Sequence, residues 1–304
     1  MVTPAGITRA KACWSEVQQK PDPGTMHHPD RGSATDNSSL VPIDGHVHFY
    51  DIGRVDTSLS AARRNFCDVG SSHGTPLGVL LLTQASHERV FERLAEGRHR
   101  GAWTIRLNDS EPQSLVAERG EDQIIVICGR QVRCDNGLEV AALGTTSEFR
   151  DGESFASTIG AVQDSGAFTV IPWGFGKWSA ARGREVGQAI NRNSARNLAL
   201  GDNGGRLRIA GEPTLISRAR AAGFKILSGS DPFPCGNDYR RIGGYGFFAG
   251  VTPSVASPWA DLSAWLSTER RSPAGYGRNV GITRFLINQA GIRLYNRRVR
   301  SVDQ

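Results

Sequence analysis

The chain has 304 residues, 38% hydrophobic and 22% charged, and its 36 Lys and Arg against 30 Asp and Glu leave a formal net charge of +6. At about 100–200 residues per domain this length holds one large α/β domain or two small ones, and the composition excludes a disordered chain. No apolar run nears the ~18 residues of a membrane span, and the first turns of the chain, with Lys11, Glu16 and Lys20, lack the apolar stretch of a secretory signal.

Residues 1–40 carry Pro4, Pro21, Pro23, Pro29 and a Gly/Ser/Asn-rich stretch without periodicity, which predicts a disordered leader. From Val41 the pattern changes. The run Ile43-Asp44-Gly45-His46-Val47-His48-Phe49 predicts a strand in which His46 and His48, two positions apart, share a face. Further strands are expected over 77–83, 102–107, 114–118, 124–128, 138–143, 167–171, 197–200 and 224–227. Helices are expected over 87–96, 153–164, 177–193 and 212–222, the last stopped by Gly223. Strands alternating with helices of this length predict βα units, a mainly parallel sheet and a distorted (β/α) TIM-like barrel over 41–250.

Residues 251–304 form the basic end of the chain and read as a helical extension packed on or following the barrel. The eight arginines beyond residue 264 (270, 271, 278, 284, 293, 297, 298 and 300) stand against Glu269 and Asp303, so this segment carries the whole net charge and residues 41–264 balance to zero. A basic tail of this kind meets nucleic acid, anionic lipid or an acidic partner, or, the commoner case, is a solvated helix end. Five scattered cysteines without a Cys-x-x-Cys spacing suit reduced thiols in the cytoplasm.

Chemistry in such barrels sits at the carboxyl ends of the strands. The candidate ends are His46 and His48, Thr83-Gln84, Gly129-Arg130-Gln131, Glu139, Pro172-Trp173, Gly201-Asp202-Asn203 and Ser230-Asp231. Two imidazoles and a carboxylate are competent ligands for zinc, manganese or iron, and His46, His48 and Asp231 are expected to converge on one divalent ion. Inert rim histidines and a turn-forming aspartate would leave the same trace in the sequence. The Gly174-Phe175-Gly176-Lys177-Trp178 run is not a P-loop, because Ile171 and Trp178 occupy positions that the motif reserves for Gly and Ser/Thr. Gly201–Gly205, with Arg206 beside it, could cradle an anion through its backbone N–H groups, but a tight loop with positive φ is the expectation.

The segments Asp44-Gly45-His46-Val47-His48, Ile125 to Val132 with Leu138-Glu139-Val140, and Gly229-Ser230-Asp231 together resemble the three motifs of the PHP (polymerase and histidinol phosphatase) group of metal-dependent phosphoesterases. The resemblance covers residues 41–235 and implies a PHP-type barrel, a bound divalent metal and a small phosphorylated substrate. It implies His46, His48, Asp231 and Glu139 as metal ligands, and Glu139, Gln131 and Arg130 as catalytic residues. Arg130, Lys177 or Arg206 would balance substrate charge. The chain departs from the family at Gln131, Glu139 and Phe233, where the motifs carry Glu, His and His. A single-ion hydrolase is therefore the leading expectation. A catalytically degenerate barrel serving as a binding or regulatory module is the alternative, and an amide or lactone hydrolase ranks below both.

Overall fold

The Val41-Pro-Ile-Asp-Gly-His-Val run forms a strand buried along its whole length. It opens a computed structural model that describes residues 40–70, 76–234 and 236–302. The expected leader lies outside the described residues apart from Leu40. In chain order the elements are β1 (Val41–Val47), α1 (Val55–Asp68), β2 (Gly78–Leu82), β3 (Gln84–Ala85), α2 (Val90–Ala95), β4 (Thr104–Leu107), β5 (Ser114–Arg119), β6 (Asp122–Ile127), β7 (Gly129–Arg133) and β8 (Glu139–Leu143). Then come α3 (Phe155–Asp164), β9 (Phe168–Pro172), α4 (Ala180–Arg192), β10 (Leu198–Asn203), α5 (Thr214–Ala221), β11 (Ile226–Gly229), β12 (Tyr245–Ala249), α6 (Pro258–Thr268), β13 (Gly275–Gly277) and α7 (Ile282–Val302). No helix among the described residues is long and apolar enough to cross a membrane.

The fold is mixed α/β, with two mixed sheets. One has the order β13-β12-β1-β2-β6-β5-β4 and the other β11-β10-β9-β8-β7-β3. The β1–β2–β6 and β9–β10–β11 ladders are parallel, as βα units require. The β7–β8 and β8–β9 pairs are antiparallel, so the sheet is less parallel than the alternation of strands and helices predicts. Single residues, Thr83 and Cys128, separate β2 from β3 and β6 from β7, so two runs of chain pass from one sheet into the other. Among the described residues the ladders make two sheets, and a closed barrel ladder is not among them.

Alternation along the strands sorts side chains into layers. Ile43, Val79, Leu81, Ile125, Leu143, Val170 and Leu227 meet in a core fed by both sheets. Leu80, Leu82, Ile124 and Val126 turn the other way, onto Val55, Leu59, Ala62 and Phe66 of α1. Val140, Ile171, Leu198 and Ile226 pack on residues of α3, α4 and α5. Helix α6 adds Trp259, Leu262 and Leu266 to the shared core. Its start is anchored by Glu111, whose carboxylate accepts from Trp259 N and Ala260 N, each at 2.8 Å. A carboxylate suits the partly positive N-terminus of a helix.

The contact that positions the site is between β1 and β11. A Cβ at Gly229 would lie 2.3 Å from His46 N, and one at Gly45 would lie 2.6 Å from Ser228 O. Only glycine at both positions lets the two backbones come this close. Asp231 N then donates to His46 O at 2.9 Å, and Ser230 N to the Asp44 carboxylate at 2.7 Å.

Candidate metal centre

His46 lies near the end of β1 and His48 one residue past it, so the pleat turns both imidazoles the same way. Their Nε2 atoms are 3.1 Å apart, and both side chains are buried. Asp231, two residues past β11, brings Oδ1 to 3.8 Å from His46 Nε2 and 3.6 Å from His48 Nε2. Among the described residues these three form a group whose ligand atoms all lie within 4.8 Å of one another. Ligands at about 2.0–2.2 Å from a tetrahedral zinc stand roughly 3.3–3.6 Å from each other. The spacing and the N,N,O donor set therefore fit one divalent ion.

The surroundings hold this arrangement. Asp231 sits in the left-handed region at φ 43°, a conformation that Asp and Asn tolerate better than most residues. Its second oxygen accepts a hydrogen bond from Asn203 Nδ2, at the end of β10. Behind the histidines, Asp44 is fully buried and accepts from Ser230 N and Gly243 N, each at 2.7 Å, and from His46 N at 3.3 Å. Burial pushes its carboxyl up to about 6, against the pull of those donors. The His48 imidazole is held well below its ordinary value by burial, with His46 and Lys177 adding to the effect. A neutral imidazole is the form that binds metal. The ring of His48 stacks on Tyr50 at 5.2 Å, and Tyr50 Oη donates to Pro232 O at 3.0 Å.

The other residues expected at the site have different surroundings. Glu139, at the start of β8, forms an ion pair with Lys177 and is not in the three-residue group. Arg130 pairs with Glu92 and also donates to the carbonyls of Ser147 and Glu88. Gln131 Oε1 is buried without a partner among the described residues. Arg206 is held by both oxygens of Asp202, at 2.9 and 3.0 Å, and Tyr245 donates to the same carboxylate. Of the three cations expected to face substrate, Lys177 is the one close enough to His48 to act on its charge. Sequence reasoning gave no role to Tyr50 or Asp44. Tyr50 continues the two-residue repeat of His46 and His48, and Asp44 is a charge inside an apolar strand. Both signals were readable.

A cleft of about 250 Å³ opens beside His48, lined among others by Tyr50, Arg54, Phe233 and Tyr239.

No protein-family model matches the sequence, and no curated protein matches it. Among solved structures, the fold is similar to that of PsfC from Pseudomonas syringae PB-5123, with a TM-score of 0.52 and 13% identity over 86% of this chain and 99% of that one. It is also similar to the lesion-specific endonuclease PfuEndoQ from Pyrococcus furiosus, with a TM-score of 0.51 and 11% identity over 78% of this chain and 59% of that one. At these identities the likeness is one of fold.

Proposed function

We propose that the protein is a metal-dependent hydrolase of the PHP type, built on a distorted (β/α) barrel, and that it cleaves a phosphoester in the cytoplasm. The observation that carries this reading is the convergence of His46 Nε2, His48 Nε2 and Asp231 Oδ1 at 3.1–3.8 Å. A zinc, manganese or iron ion held there supplies Lewis-acid polarisation of a phosphoryl oxygen and a bound water made more acidic, towards a pKa of ~7. The likeness to an endonuclease fold supports a phosphodiester as the bond cleaved.

The chain's own residues account for the rest. Burial keeps His48 neutral, so its nitrogen is free to ligate at neutral pH. Asn203 fixes one carboxylate oxygen of Asp231 and leaves Oδ1 facing the imidazoles. Lys177, steadied by Glu139, offers an ammonium to an anionic substrate. Arg130 and Arg206 are likewise paired with carboxylates, Glu92 and Asp202, and what singles out Lys177 among the three is that its charge acts on His48. Free Cys67, Cys128 and Cys134 suit a reducing compartment.

One observation favours the binding-module alternative. Glu139 and Lys177 satisfy each other, as in a site that no longer turns over. Metal analysis by inductively coupled plasma mass spectrometry separates the two readings. The hydrolase should carry about one divalent ion per chain and cleave bis(p-nitrophenyl) phosphate until a chelator is added. A protein without metal, inert with zinc, manganese and iron alike, is the module. Glu139→Gln refines the test. Because Glu139 is outside the three-residue group, the variant should keep its metal. Its rate should stay within about tenfold of wild type, short of the 10²–10⁴-fold that loss of a general base costs. Metal loss in this variant would return Glu139 to the ligand set.

A further inference from the structure

Two depressions on the surface share one residue. The aromatic cleft beside His48 is walled by Tyr50, Phe233 and Tyr239, with Arg54 at its edge. A second groove, of about 470 Å³, is lined by Thr57, Ser60, Arg64, Asn65, Tyr239 and Arg240. Tyr239 belongs to both, so the groove adjoins the cleft across this one ring. Helix α1 forms the common wall. It presents Thr57, Ser60 and Arg64 at spacings of three and four residues, which is one helical face.

The charges in this track are one-sided. Arg54, Arg64 and Arg240 are exposed, and none forms an ion pair among the described residues. Their neighbours Arg63 and Arg241 are both matched, by Asp122 and Asp238. The Arg240 guanidinium lies 6.0 Å over the Tyr239 ring, and Arg119 donates to Ser60 Oγ at the groove wall. The single carboxylate in either lining is Asp51, which accepts from Gly53 N at 2.9 Å. From Arg54 to Arg64 helix α1 rises about 15 Å, the rise of roughly four stacked nucleotides at 3.4 Å each. Unmatched cations along a groove, next to aromatic rings that can receive an unstacked base, are what a single-stranded nucleic acid requires.

We propose that this track binds a single-stranded nucleic acid. Arg54, Arg64 and Arg240 meet its phosphates, and a base stacks among Tyr50, Phe233 and Tyr239 beside His48. For the cleaved bond this rests on the hydrolase reading of His46, His48 and Asp231, and it gives that site its substrate class; for binding it does not.

The test is fluorescence anisotropy of a labelled oligothymidylate of about twelve nucleotides with the full chain, in chelator so that no cleavage intervenes. Wild type should bind with a log–log salt slope near −2, about −0.7 for each of three phosphate contacts. R64E/R240E, and R64Q/R240Q as the milder pair, should bind at least tenfold more weakly and lower the slope by about 1.4. Tyr239→Leu should weaken binding at least fivefold through the lost stack while leaving the slope unchanged. Circular dichroism establishes that each variant is folded. The proposal is overturned if wild type does not bind the strand or if the folded arginine variants bind like wild type. It is overturned too if a duplex of the same length competes as well as the single strand. Binding by a wild type that holds no metal and cleaves no small diester would support the track and sink the hydrolase reading. Hydrolysis of the small diester without strand binding would do the reverse.

Discussion

Asp231→Asn should weaken divalent-ion binding by more than about 100-fold in a chain that stays folded. Loss of a residue that merely supports a ligand costs 10–100-fold, and this substitution removes a ligand's charge. Asn is the cleaner choice than Ala because it also tolerates the left-handed backbone at φ 43°. It leaves two imidazoles and an amide oxygen, too weak a set to hold a hard divalent ion. Two measurements check this. Metal content after dialysis should fall from one ion per chain to near none. Thermal melts should show the rest, since an ion at 100 times its Kd stabilises wild type by about 2.7 kcal/mol; the variant should gain almost nothing at that concentration. His46→Ala should behave in the same way. If Asp231→Asn keeps stoichiometric metal, the site lies elsewhere.

The histidine pair was legible because the two-residue repeat of a strand needs only neighbouring positions. Asp231 was legible because a strand end followed by Ser-Asp-Pro marks a rim. Helix α1 was missed although Val55, Leu59, Ala62 and Phe66 carry a helical period and all four are buried. The β7–β8 hairpin had its own signal, Asn136-Gly137 with Gly137 at φ 81°, hidden by the expectation of parallel βα units. Glycines 201, 204 and 205 do not have the positive φ expected of them. A Cβ at Gly204 would meet the movable end of the Arg241 side chain at 2.7 Å and the Tyr245 ring at 3.0 Å.

Side-chain pairing was out of reach. A carboxylate among apolar residues, such as Glu139, demands a partner, but the sequence does not say that the partner is Lys177. Arg130 with Glu92, and Arg206 with Asp202, are pairings of the same kind, made only by the fold. Net charge is a coarse guide for a related reason. Residues 41–264 balance to zero, which drew attention to the C-terminal arginines. Balance over a segment is compatible with local separation, and α1 and the turn Asp238–Arg241 put unmatched arginines along one groove.

Asp44→Ala should be the most destabilising single change near the centre, costing about 3–5 kcal/mol. The carboxylate is the acceptor for three backbone donors, from Ser230, Gly243 and His46, in a place without exposure. Each buried donor left without a partner costs about 1–3 kcal/mol. Two effects keep the total below the simple sum: local relaxation, and relief from burying a carboxyl whose pKa is pushed up to about 6. Asp44→Asn separates acceptor from charge. It retains one oxygen for Ser230 N and His46 N but turns an amide N–H₂ towards Gly243 N, so it should cost roughly half as much. Chemical denaturation reads both values, and for a chain of this size the Ala variant should melt roughly 5–8 °C lower. A loss under about 1 kcal/mol would mean that the β1–β11 junction holds without Asp44. The effect should also reach the metal, because Ser230 N and His46 N are what this carboxylate aligns on either side of the site. Asp44→Ala should therefore lower ion affinity even though Asp44 is not in the ligand group.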